Sequence, residues 1–317
     1  MEYDNPRNQF PLDPSSYKIT HEIAVGVGVV VYKAVCVPMD LAIVAIKAID
    51  REQCIGIFDI LEREAQSMIL LSHPNLLRAH CSFNADRHVW VVMPFMSCGS
   101  LHSIISSSFP GGLPEECMAI ILKETLKALS YLHNRGNIHG DVKPSNILLD
   151  SNGCVKLADL GASCSFYGRK SAKPHWVAPE IIKSRAVSSF ETDIWSFGVT
   201  ALVSTKTFSE AFQDIVTCCL DKDPAKRPSA DELLKHPFFE GCKATSEFLV
   251  EHLLHGLPSV EQRFRPSKIV PAHDHDPHGE SSQVRFEGET VGNELKALDD
   301  QREKVTDEKE VQKCTRK

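Results

Sequence analysis

His139-Gly140-Asp141-Val142-Lys143-Pro144-Ser145-Asn146, followed thirteen residues later by Asp159-Leu160-Gly161, is the stretch whose reading decides this fold. A helical pattern precedes it. Met118, Ile121, Leu122, Thr125, Leu126, Leu129 and Leu132 recur at helical spacing behind the acidic, proline-led start Pro114-Glu115-Glu116, and Arg135-Gly136 supplies the stop. A hairpin pattern follows it. The apolar runs 147–149 and 155–158 flank Asp150-Ser151-Asn152-Gly153, and Asn-Gly favours a tight turn between strands. The loop holds an acid, a lysine and an amide, and a second acid stands on the next loop. That set suits a polyphosphate and a hard divalent cation. Asp141 is placed to accept or orient the proton of an acceptor hydroxyl, and Lys143 to steady a transferring phosphoryl group. Asn146 and Asp159 supply oxygens for Mg²⁺, which keeps several waters and borrows phosphate oxygens.

Working back toward the N-terminus, residues 17–24, 29–36 and 41–49 are apolar, β-branched runs. Gly26 and Gly28 divide the first two, and Pro38 and Asp40 the second and third, which predicts antiparallel strands. The period then changes. Ile57, Ile60, Leu61, Met68 and Leu71 among charged residues predict one amphipathic helix over 52–71, followed by strands at 76–83 and 88–95. Glycine lets backbone approach phosphate oxygens closely, so Gly26-Val27-Gly28 is a candidate phosphate cover. A β-turn also wants glycine, and the third position of G-x-G-x-x-G is Val31 here. Val44-Ala45-Ile46-Lys47 sets a lysine inside an apolar strand, which is costly unless the lysine is paired, and Glu64 on the following helix can pair with it. An exposed strand face would explain that tetrapeptide equally well.

Toward the C-terminus come Ala178-Pro179-Glu180 and Asp193-Ile194-Trp195-Ser196-Phe197-Gly198. Arg227 is a natural partner for Glu180, and Ser229-Ala230-Asp231-Glu232 forms a capping box that opens a short helix before Pro237. With these in place, residues 17–239 resemble a eukaryotic protein-kinase domain. WVVMPFMSCGSLHSI, LKETLKALSYLH, DIWSFGVTAL and DPAKRPSADELLKHPFF resemble the sterile-twenty group, germinal-centre-like subfamily. Within it they are similar to the plant branch that includes the guard-cell blue-light-signalling kinase. The resemblance implies an α+β, two-lobed fold, with a small β-rich N-lobe (17–96) carrying one helix and a mainly helical C-lobe (97–240). Residues 1–16 and 241–317 would then be extensions. It implies ATP with Mg²⁺, serine/threonine specificity, a protein substrate, and an upstream kinase or scaffold partner. It places adenine contacts at the hinge, with Met93 near the gatekeeper position and Phe95 and Met96 after it. Val25, Gly26, Val27, Gly28, Val31, Ala45, Lys47 and Leu148 complete the nucleotide site by motif match. Asp141, Lys143, Lys47 and Glu64 would be catalytic, and Asn146 and Asp159 would hold the metal.

Four departures bear on activity. Gly140 replaces the arginine of H-R-D, which questions control by a phosphate on the activation loop. Leu160 replaces the phenylalanine of D-F-G, an apolar swap. Lys173 stands where a threonine normally contacts the catalytic aspartate, and it could pair with Asp141 instead. Finally, Arg227 follows Asp193 by only 34 positions. Helices at 193–204 and 208–220 fill that interval, so the substrate-side helix and loop are missing at the joint Ser204-Thr205-Lys206-Thr207. The alternative to an active enzyme is therefore a pseudokinase scaffold that binds nucleotide or partner proteins with little or no transfer.

Bulk properties fit this frame. The chain has 317 residues, 42% of them hydrophobic and 24% charged, with a net charge of −7 and no long basic block, which argues against nucleic acid as a partner. No run approaches the length of a transmembrane helix, and the polar, proline-containing N-terminus does not resemble a signal peptide. Eleven cysteines without a C-x-x-C pair read as reduced thiols, mostly small buried hydrophobes, in a cytoplasmic protein. Of the 57 residues from Glu261 to Lys317, 24 are charged, 13 acidic and 11 basic, so the segment after about 260 is expected to be mostly disordered, with helix near 292–312. His273, His275 and His278 read there as solvated tail residues rather than as a metal site. Ser163, Ser165, Tyr167 and Ser171 are the activation-segment hydroxyls.

Overall fold

Runs rich in β-branched residues build the first layer. In the computed structural model, which describes residues 9–56, 58–160, 176–184, 188–205, 209–240 and 245–264, β1 (Tyr17–Gly26), β2 (Val29–Cys36) and β3 (Ala42–Asp50) run antiparallel. With β4 (Cys81–Ala85) and β5 (His88–Pro94) they form a five-stranded sheet of order β1-β2-β3-β5-β4. Directly opposed residues of antiparallel strands share a face. Val31 opposes Lys47, Lys33 opposes Ala45, and Ala45 opposes Met93, so these side chains lie on one face. The helix α1 (Phe58–Leu70) covers that face and buries Glu64, Ala65 and Met68.

Among the expected boundaries that move, two shift for a local reason and one for a long-range contact. The third strand begins at Ala42 rather than at 41, because Asp40 and Leu41 take positive φ (49° and 59°) in the preceding turn. Residues 51–56 form turns instead of helix. The Asp50 carboxylate accepts the backbone N–H groups of Glu52 (2.9 Å) and Gln53 (3.3 Å), an arrangement that competes with helical bonding. The strand expected at 76–83 starts only at Cys81, and Leu76 instead bridges to Leu157 in parallel. Leu77 donates to the carbonyl of Leu157 (2.9 Å), and Leu157 to that of Asn75 (2.8 Å), so this segment ties the two lobes together.

The second lobe is mainly helical. It contains β6 (Gly99–Ser100), α2 (Leu101–Ser108), α3 (Glu115–His133), the hairpin β7 (Ile147–Leu149) and β8 (Val155–Leu157), α4 (Pro179–Ser184), α5 (Phe190–Ser204) and α6 (Glu210–Cys219). The short helices α7 (Ala230–Leu233), α8 (Pro237–Glu240), α9 (Ser246–Leu249) and α10 (Val260–Arg263) follow. Its core is centred on α3 and α5, where Met118, Ile121, Leu122, Leu126, Leu129 and Phe197 are at most 1% exposed. Gly153 closes the β7–β8 turn at φ 76°, and the capping box at Ser229 and Glu232 forms as read.

The shortened region is closed by its own contacts. Leu113 donates to the Ser204 carbonyl (2.9 Å), and the buried Thr205 hydroxyl returns a bond to the Leu113 carbonyl (2.9 Å). Ser209 caps α6, and its N–H donates to Glu115 (2.8 Å). The two helices then pack closely. A Cβ at Gly198 would lie 2.7 Å from that of Cys219. Residues 246–254 carry apolar side chains four apart. Leu249, Leu253 and Leu254 therefore enter the C-lobe core, although the sequence reading assigns them to an extension. Among the described residues all eight cysteines are free, and six of them are buried.

Candidate active site

Lys47 projects from β3 into the space between the lobes and is 9% exposed. Such a charge requires partners, and it has two. Its Nζ lies 2.9 Å from Glu64 Oε1 on α1 and 2.9 Å from Asp159 Oδ1 on the loop after β8. Burial opposes the charge on Lys47, but the Asp159 and Glu64 carboxylates outweigh it and hold the ammonium well above the usual lysine range. Burial raises the pKa of Glu64 despite Lys47, with the Asp159 charge adding to the rise. Asp159 moves the other way. Burial would raise its pKa, but Lys47 holds it below the usual carboxylate range. Its side chain remains 41% exposed toward the cleft, on a backbone at φ 55°, which is rare outside glycine.

The loop after α3 assembles the rest. Lys143 Nζ is 2.6 Å from Asp141 Oδ2. Asn146 donates through Nδ2 to the Asp141 carbonyl (2.8 Å) and carboxylate (2.9 Å), which leaves its amide oxygen as the atom suited to a cation. Two further buried groups, His139 and Asp193, hold this loop. His139 accepts the Asp141 N–H at Nδ1 (3.2 Å) and meets the Ala158 carbonyl with Nε2 (3.1 Å), so it spans the two loops. Burial lowers its pKa, and the neutral ring with its proton on Nε2 matches both contacts. Asp193, 1% exposed on α5, accepts the N–H groups of His139 and Gly140 (both 2.7 Å) and meets His133 Nε2 (2.9 Å). Gly140 itself sits at φ 76°, where an L side chain is strained.

Between the lobes lies a cleft of about 920 Å³. Val31, Ala45, Lys47, Met93, Met96, Leu148 and Asp159 line it, together with Ile23, Ala24 and Leu77, which the sequence reading did not select. Phe95 packs at the hinge against the N-lobe cluster. Val25, Gly26, Val27 and Gly28 stand at the β1–β2 tip and are not among the lining residues, and Val27 is 88% exposed. Gly28 answers to packing there. It takes φ 67°, and a Cβ would come within 2.5 Å of the Cys54 sulfur. Leu160 bridges the lobes, touching the core clusters of both. Lys173 and the hydroxyls at 163, 165, 167 and 171 lie outside the described residues, as do His273, His275, His278 and the helix expected at 292–312.

A second ion pair closes the lower part of the C-lobe. Arg227 makes a bidentate contact with Glu180 (2.7 and 2.8 Å), donates to the carbonyls of Glu191 (3.0 Å) and Asp221 (2.9 Å), and stacks 4.9 Å from the Trp195 ring. Burial alone would raise the Glu180 pKa, but the Arg227 hydrogen bonds hold it below the usual range.

Comparison with known proteins is consistent with this geometry. Residues 17–206 match the protein kinase domain, and the match ends inside the α5–α6 joint. The chain is similar to the serine/threonine-protein kinase fray2 of Dictyostelium discoideum, 37% identical over 299 residues that cover 82% of this chain and 29% of the relative. It is 35% identical to fray1 of the same organism (87% of this chain, 54% of the relative). Germinal center kinase 3 of Caenorhabditis elegans is 34% identical (81% and 52%). The chain thus spans between about a third and about half of the length of these curated relatives. Among the described residues no helix is long and apolar enough to cross a membrane.

Proposed function

We propose that this chain, which belongs to the protein kinase family, transfers the γ-phosphate of ATP to a serine or threonine hydroxyl of a protein substrate. The observation that carries this is the two-carboxylate grip on Lys47, at 2.9 Å from both Glu64 and Asp159, because it joins the helix, the sheet and the magnesium loop in one cluster at the cleft. The named relatives are serine/threonine kinases, which supports the same choice of acceptor.

The residues fit MgATP. Asp159 presents an ionised, part-exposed carboxylate, and Asn146 has its nitrogen committed and its oxygen left over, which together suit a hard cation. Magnesium, when bound, neutralises phosphate charge and stabilises the transferring group. The remaining work falls to the protein. Lys47 would meet the phosphates, oriented by Glu64, while Ala45, Met93, Met96 and Leu148 offer an apolar slot for the base. Asp141 would accept the hydroxyl proton, and Lys143 would leave its resting contact with Asp141 to steady the phosphoryl group. His139 and Asp193 keep the Asp141 backbone in place.

Single-turnover transfer of labelled γ-phosphate to a generic basic protein tests this, with Asp141→Asn as the control. The expected result is transfer by the parent and a loss of at least about 10²-fold in the variant. ATP binding without transfer would make the chain a nucleotide-binding scaffold.

A further inference from the structure

We propose that residues 258–264 form an outer wall of the nucleotide cleft, with Glu261 and Arg263 as positioning residues that hold this wall across both lobes. The proposal rests on the kinase reading and adds residues from outside the matched span of 17–206.

The wall is locally specified. Ser259 and Gln262 form a capping box around α10, so this turn has its own start signal. Each end then grips a different lobe. Glu261 pairs with Lys33 of β2, and both side chains are largely buried. Lys33 lies on the same sheet face as Val31, Ala45 and Lys47, the cleft face, and its Nζ stands 4.7 Å over the Phe95 ring at the hinge. On the other side, Arg263 donates to the Ser103 hydroxyl of α2 (2.7 Å) and to the Cys98 carbonyl, and it folds back to the Pro258 carbonyl (3.0 Å). Just before the two grips, Val260 is 7% exposed and seated on Gly99, where a Cβ would come within 2.8 Å of a Val260 methyl. Pro258, Val260 and Phe264 line the same cavity as Ala45, Met93 and Leu148.

A wall anchored on β2 and α2 links the lobes beside the hinge, at the end of the cleft where Met93 and Met96 receive a base. Nucleotide entry and release then depend on it, whereas the chemistry at Asp141 does not. Loosening the wall should raise KM for ATP and leave kcat alone.

The test uses the full chain and three proteins: the parent, Glu261→Lys, and the charge swap Lys33→Glu with Glu261→Lys. KM and kcat for ATP are measured on a basic protein substrate, and amide hydrogen exchange is followed without nucleotide. For Glu261→Lys, which opposes two like charges, we expect KM to rise about three- to tenfold with kcat within about twofold, and amides 260–264 to exchange faster. The swap should return KM and exchange toward the parent. Unchanged KM, or a rise that the swap does not reverse, would overturn the positioning role. If the parent itself transfers no phosphate, the kinase reading fails. Exchange then decides the wall alone: faster exchange restored by the swap supports it, and no change overturns it.

Discussion

Lys47–Glu64 and Arg227–Glu180 are both largely buried ion pairs between different secondary-structure elements, yet they are built differently. Arg227 places four of its five side-chain N–H donors on protein acceptors. Its guanidinium meets both oxygens of Glu180 and two backbone carbonyls, and the Trp195 ring lies beside it. Its side chain is fully covered. Lys47 sits between two carboxylates at the wall of a cleft, and one of them, Asp159, keeps 41% of its side chain exposed. Burial of a charge pair does not by itself separate structure from function. What separates them is whether protein groups complete the coordination or leave part of it facing the cleft.

The comparison breaks most visibly at Arg227. Arg227→Leu removes the bidentate contact to Glu180 and the bonds to the Glu191 and Asp221 carbonyls, and should cost about 3–5 kcal/mol of stability in denaturant unfolding. A loss within the error of the measurement would mean that the pair is not a tie. Lys47→Met should act on the other quantity. Phosphate transfer should fall about 10²- to 10³-fold, while the unfolding midpoint moves much less than for Arg227→Leu. Comparable damage to stability and activity in both variants would erase the distinction. Glu64→Gln sharpens it further. Asp159 still holds the lysine, so transfer should fall only about tenfold, equivalent to ~1.4 kcal/mol in the barrier.

The smallest effect is in pH. The folded-state pKa of Glu180 lies below its ordinary 4.5, so the folded form prefers the carboxylate. Its contribution is complete above pH 4.5 and fades as the pH falls through the depressed folded value. Urea midpoints of the parent should therefore drop between pH 7 and acid more than those of Glu180→Gln. Equal drops would remove the Glu180 carboxylate as a source of acid sensitivity.

Much of the candidate site was legible because single side chains stood out against their surroundings. Lys47 interrupts an apolar strand, and Asp141, Asn146 and Asp159 punctuate loops between strong periodic elements. Asp193 carried the same signal, an acid inside an apolar helix, and that reasoning would have selected it too. The phosphate-cover glycines read less well. Gly28 satisfies a turn and the approach of Cys54, and the cleft wall falls on Ile23 and Ala24 instead, because the hairpin tip extends beyond the cavity.

Composition and spacing alone determined most strands of the first lobe, the long α3 and the hairpin after the Asp141 loop, whereas the Glu180–Arg227 partnership and the shortening between α5 and α6 were legible only beside the resemblance to a kinase domain. The strands, the helix and the hairpin each rest on periodicity or turn chemistry within a few residues. Only the tertiary structure decided that Asp193 holds the backbone of His139 and Gly140, that 75–77 ties the lobes instead of forming a strand, and that 258–264 lines the cleft between them. Those depend on which backbone groups and charges meet across dozens to hundreds of residues. Local propensity carries no record of such meetings until packing brings them together.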